Sequence, residues 1–553
     1  MMSTRRVAAA GLAVGILFVW QGRSQSQVAV FDLVIRGGRV VDGTGNPWVL
    51  ADVGIRGDVI AAVAPHLATS GARVVVASGL VVAPGFIDVH AHGDAGNTAV
   101  PAGTVDPLVR DDKQDLIGNP AAENDVRQGV TTVMAGPDGF GSPAIGAYLA
   151  KVAAAKPAIN LGAFIGHGAV RLAVLGMANR PASADELQRM RDLVRQGMRD
   201  GAFGMSTGLF YVPANYAPLQ EVIDLARVAG EFGGVHQSHM RDEGIHVLDS
   251  VRDTIAIGEQ GGLPTQVTHH KTIGKANWGK SVETLRLIDE ARRRGVDATL
   301  DQYPYTASNT TIQSGLIPQW AQEGGRAAML ARFKDGAARP RVLSEIAEAI
   351  EQGRGGGDPA NVVLASCDFD PALAGKSLAQ VLRDRGRPVT FGQAAALVVE
   401  IVERGSCVGI YHAMSEDDLV RIMKHPATMI ASDASPGMPI FGKDAPHPRA
   451  YGTFPRVLGV YVREKRVLTL EEAIRKMTSF PAQRMGLADR GVLRPGLKAD
   501  VVVFNPATII DKATFEKPHQ YAEGVVAVVV NGRLTLHDGK MTGDRAGRAL
   551  RLN

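Results

Sequence analysis

Apolar and polar residues alternate in short runs near both ends of the chain and fall at helix spacing between them. Phe31-Asp32-Leu33-Val34-Ile35-Arg36-Gly37-Gly38, Ala51-Asp52-Val53-Gly54-Ile55 and Arg73-Val74-Val75-Val76 read as short strands punctuated by glycine, a β meander. The same character returns at 499–504 and 524–533. Two β segments flanking a long middle predict one small β-sandwich built from both termini. Between about 83 and 480, strand patterns at 131–134, 160–165, 204–206, 234–236, 265–267, 297–300 and 428–431 alternate with helical ones such as 184–199 and 282–294. Repeated βα units of this size predict an α/β fold, a (β/α)8 TIM-like barrel with its site at the strands' carboxyl ends. The stretch 315–405 is too long for one crossover and predicts an insertion that caps the site. The expected organisation is therefore a segment 1–27, sandwich parts 28–82 and 481–553, and a barrel 83–480.

The candidate chemistry sits at those strand ends. The run Val81-Val82-Ala83-Pro84-Gly85-Phe86-Ile87-Asp88-Val89 ends in His90-Ala91-His92. Residues two apart on a strand share a face, so both imidazoles can address one centre, and imidazole is the commonest ligand for zinc-like ions. A carboxylate, Asp138, follows the strand at 131–134. His236 and His239, then His269 and His270, follow the next candidate strands, and Asp433 follows the last. Singly, a strand-end Asp is most often a helix cap and a lone His most often a satisfied core or surface residue. Their order along one barrel is what points to a divalent ion with mixed N and O ligands.

Composition narrows the class without changing this picture. The 553 residues are 45% hydrophobic and 21% charged, and 64 glycines suit many tight strand–helix turns. The net charge is +4, but Arg5, Arg6 and Arg23 supply three of those charges. The remainder is near neutral and carries no basic footprint for nucleic acid. Arg5-Arg6 precede an apolar stretch, 7–20, too short for a comfortable span, and polar residues 21–27 follow. That pattern predicts a secretory signal and a periplasmic or secreted protein without stable membrane contact after cleavage, an uncleaved anchor being the other option. The two cysteines, Cys367 and Cys407, are expected to be free, buried thiols. Ala374-Gly375-Lys376-Ser377 is not a phosphate loop, because Asp370 stands where its first glycine belongs.

Several longer motifs run through the chain: Gly85-Phe86-Ile87-Asp88-Val89-His90-Ala91-His92, Gly129-Val130-Thr131-Thr132-Val133, Ser206-Thr207-Gly208-Leu209-Phe210-Tyr211, Ser238-His239-Met240-Arg241-Asp242-Glu243-Gly244 and Thr268-His269-His270-Lys271. Asp301-Gln302-Tyr303-Pro304-Tyr305, Ala431-Ser432-Asp433, the run from His447-Pro448-Arg449 to Pro455-Arg456, and Met477-Thr478-Ser479-Phe480-Pro481-Ala482 follow. Taken together, these motifs resemble the amidohydrolase superfamily, and within it the N-acyl-D-amino-acid deacylase (D-aminoacylase) family, and the likeness spans nearly all of the chain after residue 27.

The resemblance implies an enzyme that cleaves the amide of N-acyl-D-amino acids, small-molecule substrates, with one or two divalent ions, Zn2+ by expectation. It implies His90 and His92 at a more exposed metal position, His239 and His269 at a tightly held one, and Asp433 as general acid/base. Lys271, Tyr303 and Arg449 would hold the substrate carboxylate. The family's usual bridging ligand is a Cys in a Gly-Asn-Cys-Gly turn, whereas this chain has Gly136-Pro137-Asp138-Gly139, which puts Asp138 in that place. The preference for D substrates comes from the resemblance alone. Two other readings stay open at this point: an amidase, cyclic amidase or D-peptidase acting on another carboxamide, and a non-catalytic exported binding protein on the same barrel. His167 and His236 remain unassigned, and Tyr305 is an alternative to Tyr303. The acyl group, side-chain preference, metal count and oligomeric state are left open.

Overall fold

The computed structural model describes residues 31–93, 115–438, 442 and 444–552. The expected signal segment, 1–27, lies outside the described residues. Eight parallel strand positions build the barrel: β1 (Phe86–Ala91), β2 (Val130–Ala135), β3 (Asn160–Ala163, continued by Ile165–Gly166), β4 (Gly204–Gly208), β5 (Val235–His239), β6 (Thr265–Val267), β7 (Ala298–Gln302) and β8 (Thr428–Ile430). β1 to β3 pair in one parallel sheet, and the end of β3 begins a second that runs through β4, β5, β6 and β7 to β8. The circle closes where Ala91 bridges Ala434 and the His92 amide donates to the Ala434 carbonyl at 2.9 Å.

Every residue of β1, β2, β4 and β5 is buried. Strands covered on both sides read as nearly continuous apolar runs, which is why the β1 run is so long. Ile87, Val89, Met134, Phe164, Phe203, Val235 and Met429 pack into one cluster, while helices cover the outside. The helix Ala184–Arg199 shows how the sequence sets such a helix: Ser183 and Glu186 form a reciprocal capping box, and Met190, Val194, Gly197 and Met198 fall on one buried stripe.

Both ends of the chain meet in a single nine-stranded sheet, in which Val501–Phe504 pairs antiparallel with Val81–Pro84 immediately before β1. Leu33, Ile35, Val53 and Ile55 from the first segment share a core with Val501, Val503 and Val529 from the last.

Between β7 and β8 the chain builds a separate substructure. Ser308–Thr311, Val362–Cys367 and Cys407–Tyr411 form a three-stranded antiparallel sheet over a core that includes Ile312, Phe333, Ile346, Leu382 and Leu397. Here the sequence expectation of free thiols fails. Cys367 and Cys407 lie opposite each other with Cα atoms 4.1 Å apart and form a disulfide. Their separation of 40 residues is spanned by two helices, and a register shift between Leu364 and Ser366 sets the pairing, so sequence spacing alone did not reveal it.

Candidate metal centre and active site

The five expected ligands and the expected acid/base, Asp433, converge at the carboxyl ends of five barrel strands. His90 lies within β1 and His92 one residue past its end; Asp138 follows β2; His239 ends β5; His269 follows β6; Asp433 follows β8. His90, His92, Asp138 and Asp433 form one group whose ligand atoms lie within 4.8 Å of one another, and Asp138, His239 and His269 form a second. Asp138 belongs to both. Its Oδ1 is 3.5 Å from Nε2 of His90 and 3.5 Å from Nε2 of His269, and its Oδ2 is 3.4 Å from Nδ1 of His239 and 3.7 Å from Nε2 of His92. Nε2 of His269 and Nδ1 of His239 are 2.9 Å apart.

Local structure holds these groups in place. Asp138 (φ 55°), His269 (φ 34°) and Asp433 (φ 54°) all occupy the left-handed region, which costs a non-glycine residue about 1–3 kcal/mol and concentrates at functional sites. The Asp138 turn is clamped by Ser206, whose Oγ donates to the Gly136 carbonyl at 2.6 Å and accepts from the Gly139 amide at 3.1 Å. Gly208 lets that turn close on β4, since a Cβ there would lie 2.0 Å from the Asp138 carbonyl oxygen. Asp301 accepts from the His269 amide at 2.7 Å. Asp88 accepts from the amides of His90 (3.2 Å) and Ser432 (3.0 Å), and the Asp433 amide donates to the His90 carbonyl (2.9 Å), tying β8 to β1.

The electrostatics fit a cation. Burial by itself would lower His90, yet the carboxylates of Asp138 and Asp433 outweigh it and hold the imidazole well above its ordinary value. Burial would raise Asp138, but the three imidazoles of His90, His269 and His239 keep it well below the usual carboxylate range. Burial likewise would raise Asp433, and Arg449 followed by His269 brings it well below that range. His90 Nε2, Asp138 Oδ1 and His239 Nε2 are buried without a hydrogen-bond partner among the described residues. Buried polar atoms are nearly always satisfied, and this imidazole and carboxylate set suits a divalent ion of the zinc type. The residues present therefore fit such a group.

A cavity of about 390 Å³ opens over the cluster. Lys271, Tyr303 and Arg449 line it, with His92, Asp138, His239, His269 and Asp433. Arg449 Nη1 donates to Asp433 Oδ2 at 2.7 Å, and its guanidinium lies 4.9 Å from the centre of the Tyr303 ring. Tyr305 is not among the lining residues; its hydroxyl faces Asp511 at 3.4 Å and Arg456 stacks on its ring. His236 is buried between Thr207 and Thr265, and His167 faces Glu221, so both serve the packing of the barrel wall.

Among the lining residues that sequence reasoning did not single out, Glu243 and Arg354 touch the site's charged groups directly. Glu243 binds Lys271 Nζ at 2.5 Å through Oε1 and Arg354 Nη2 at 2.8 Å through Oε2. Glu243 stood inside a quoted motif four residues after His239, which was a usable signal. Arg354 belongs to the substructure between β7 and β8 and follows a helix in a glycine-rich turn, where nothing local marks it as part of a site.

Comparison with known proteins agrees with this arrangement. The Amidohydrolase family matches residues 73–536. The chain is 36% identical over 550 residues to a D-aminoacylase of Alcaligenes xylosoxydans xylosoxydans, across 95% of this chain and 99% of that one. Its fold superposes on a D-aminoacylase studied for its binuclear metal center, with one-metal activation and second-metal attenuation; the TM-score is 0.77 at 36% identity, covering 94% of this chain and 100% of the other. It superposes equally, TM-score 0.77 at 35% identity over 94% and 99% of the two chains, on an N-acyl-D-glutamate deacylase from Bordetella bronchiseptica complexed with zinc and a phosphonate mimic of the tetrahedral intermediate.

Proposed function

Because this chain belongs to the amidohydrolase family, in its N-acyl-D-amino-acid deacylase branch, we propose that it is a metal-dependent hydrolase that cleaves the amide bond of N-acyl-D-amino acids into a carboxylate and a D-amino acid. The observation that carries this reading is the meeting of four imidazoles and two carboxylates, drawn from five barrel strands, with all but the fully buried His90 lining one cavity. A non-catalytic binding protein would have no need of so many buried, mutually facing ligand groups.

His239, His269 and Asp138 would hold one divalent ion, and His90 and His92, sharing Asp138, a second; zinc suits the donor set. When bound, the ion would supply Lewis acidity and make water a better nucleophile near neutral pH. Asp433 is the general base that takes a proton from the attacking water and returns it to the departing nitrogen. Arg449 occupies Oδ2 of Asp433, which leaves Oδ1 turned toward His92 at 2.9 Å and the reacting centre. Lys271, Tyr303 and Arg449 hold the substrate carboxylate, for which the planar guanidinium of Arg449 is well shaped.

The relatives that act on N-acyl-D-amino acids support a D preference here. Export to an oxidising compartment is supported by the apolar segment at 7–20 behind Arg5-Arg6 and by the Cys367–Cys407 disulfide. The test is hydrolysis of matched N-acetyl-D- and N-acetyl-L-amino acids by the zinc-loaded protein. Turnover of the D series alone is expected. Turnover of a cyclic amide with neither open-chain series would overturn the substrate assignment.

A further inference from the structure

Glu243 is not one of the proposed metal ligands, yet its carboxylate is wedged between four groups of the site. It is 3% exposed. Oε1 binds Lys271 Nζ at 2.5 Å and stands 3.2 Å from Nδ1 of His269. Oε2 binds Arg354 Nη2 at 2.8 Å and stands 3.7 Å from Nε2 of His239. Each oxygen thus serves one cation that lines the cavity and faces the outer nitrogen of one imidazole.

The donor inventory of these groups gives the arrangement a direction. A neutral imidazole that presents one nitrogen's lone pair to an ion carries its proton on the other nitrogen. Nε2 of His269 and Nδ1 of His239 face the ion position beside Asp138. The protons of these two rings then sit on His269 Nδ1 and His239 Nε2. Around His269 Nδ1 stand Lys271 Nζ at 2.6 Å and Glu243 Oε1. An ammonium has three donors and no acceptor, so Lys271 cannot receive that proton's hydrogen bond, and Glu243 can. A Lys271 that donates to Nδ1 selects the opposite tautomer and takes the Nε2 lone pair away from the ion.

Resting on the metal reading above, we propose that Glu243 is a positioning residue that accepts the outer N–H of His269, and on the same side faces that of His239, so that ion binding turns Lys271 away from the imidazole and toward the substrate carboxylate. Metal affinity and substrate affinity are then coupled through one side chain. Outer partners of this kind set the tautomer and basicity of ligating histidines, and their loss costs about 10–100-fold in metal affinity.

The test measures zinc affinity by competition with a chromogenic chelator, and KM for an N-acetyl-D-amino acid, in wild type, Glu243→Gln and Lys271→Met. Glu243→Gln is expected to weaken zinc binding by about 10–100-fold and to raise KM. Lys271→Met removes the competing donor, so its zinc affinity should equal or exceed that of wild type while KM rises. A purely structural role would lower zinc affinity in both variants together with thermal stability. Wild-type zinc affinity in Glu243→Gln would overturn the proposal, as would weakened zinc binding in Lys271→Met, which decides the matter even if Glu243→Gln does not fold. A wild-type protein that binds no zinc would instead defeat the metal reading itself.

Discussion

The Arg449 guanidinium grips Asp433 through a single oxygen, Nη1 to Oδ2 at 2.7 Å, and both side chains are almost wholly buried. A charge-assisted bond of this kind fixes the carboxylate and keeps it ionised. It also leaves the other oxygen, Oδ1, facing His92 Nε2 at 2.9 Å on the side of the metal cluster, where a proton can be taken up.

The first prediction follows from that division of labour. Asp433→Asn keeps the shape of the side chain but cannot take a proton from water. Turnover should fall about 10²- to 10⁴-fold, the usual worth of a general acid/base, while metal content measured by elemental analysis stays at the wild-type level. Unchanged kcat would remove Asp433 from the chemistry.

The second concerns the turn that departs from the family pattern. Asp138 offers hard oxygen where the family usually offers thiolate, and ligand softness governs which ion a site prefers. Asp138→Cys should shift selectivity toward cadmium and zinc over manganese, read by competitive metal titration. Asp138→Ala should lose metal from both groups, since Asp138 faces all four histidines. An unchanged selectivity order in Asp138→Cys would show that Asp138 is not a ligand.

The third concerns stability. Arg171 is fully buried, and its Nη1 donates to both oxygens of Glu221, at 2.6 and 2.8 Å. Burial would raise Glu221, but His167 and Arg171 pull its pKa from 4.5 down to about 2. The folded pKa is depressed, so this contribution is fully present above the unfolded value and is lost as pH falls from about 4.5 toward 2. Glu221→Gln leaves Arg171 buried without its counter-ion and should cost about 3–5 kcal/mol at neutral pH. The difference in thermal midpoint from wild type should shrink on acidification below pH 4.5. A gap that widens there would reverse the sign of the argument.

The fourth concerns the disulfide. Cys367 also lines the cavity, so the bond braces a wall of the site as well as closing a loop of 40 residues. Replacing both cysteines by serine should destabilise the substructure between β7 and β8 by about 2–4 kcal/mol, seen as faster hydrogen exchange or proteolysis there. KM should rise with metal content unchanged. Equal protection of that substructure in the variant would contradict the prediction.

The sequence disclosed the site's ligand side more fully than its supports, for a physical reason. His90 and His92 announce themselves because strand period places them on one face. His239, His269 and Asp433 do so because each lies at or just past the end of a short candidate strand in the alternating βα pattern. Asp88, Asp301, Ser206 and Glu243 also bear on the site, but their partners lie on other strands or loops, and no local pattern records which amide or imidazole a carboxylate will meet. Arg354 reaches the cavity from a substructure with its own core, whose docking is a tertiary event. The cysteine pair was misread for the same reason: cross-strand register in an irregular sheet is not written in residue spacing. The barrel and the two-ended sheet were legible because hydrophobic period and strand alternation are local properties that burial enforces directly.

The most direct test of the account follows activity and metal together. Protein stripped with a chelator should lose hydrolysis of an N-acetyl-D-amino acid with an uncharged side chain, such as N-acetyl-D-leucine, and regain it on stoichiometric addition of zinc. His269→Ala, treated the same way, should recover neither metal nor turnover. Full hydrolysis by the stripped protein, or recovery in His269→Ala equal to wild type, would contradict the claim that these imidazoles hold the ion on which the reaction depends.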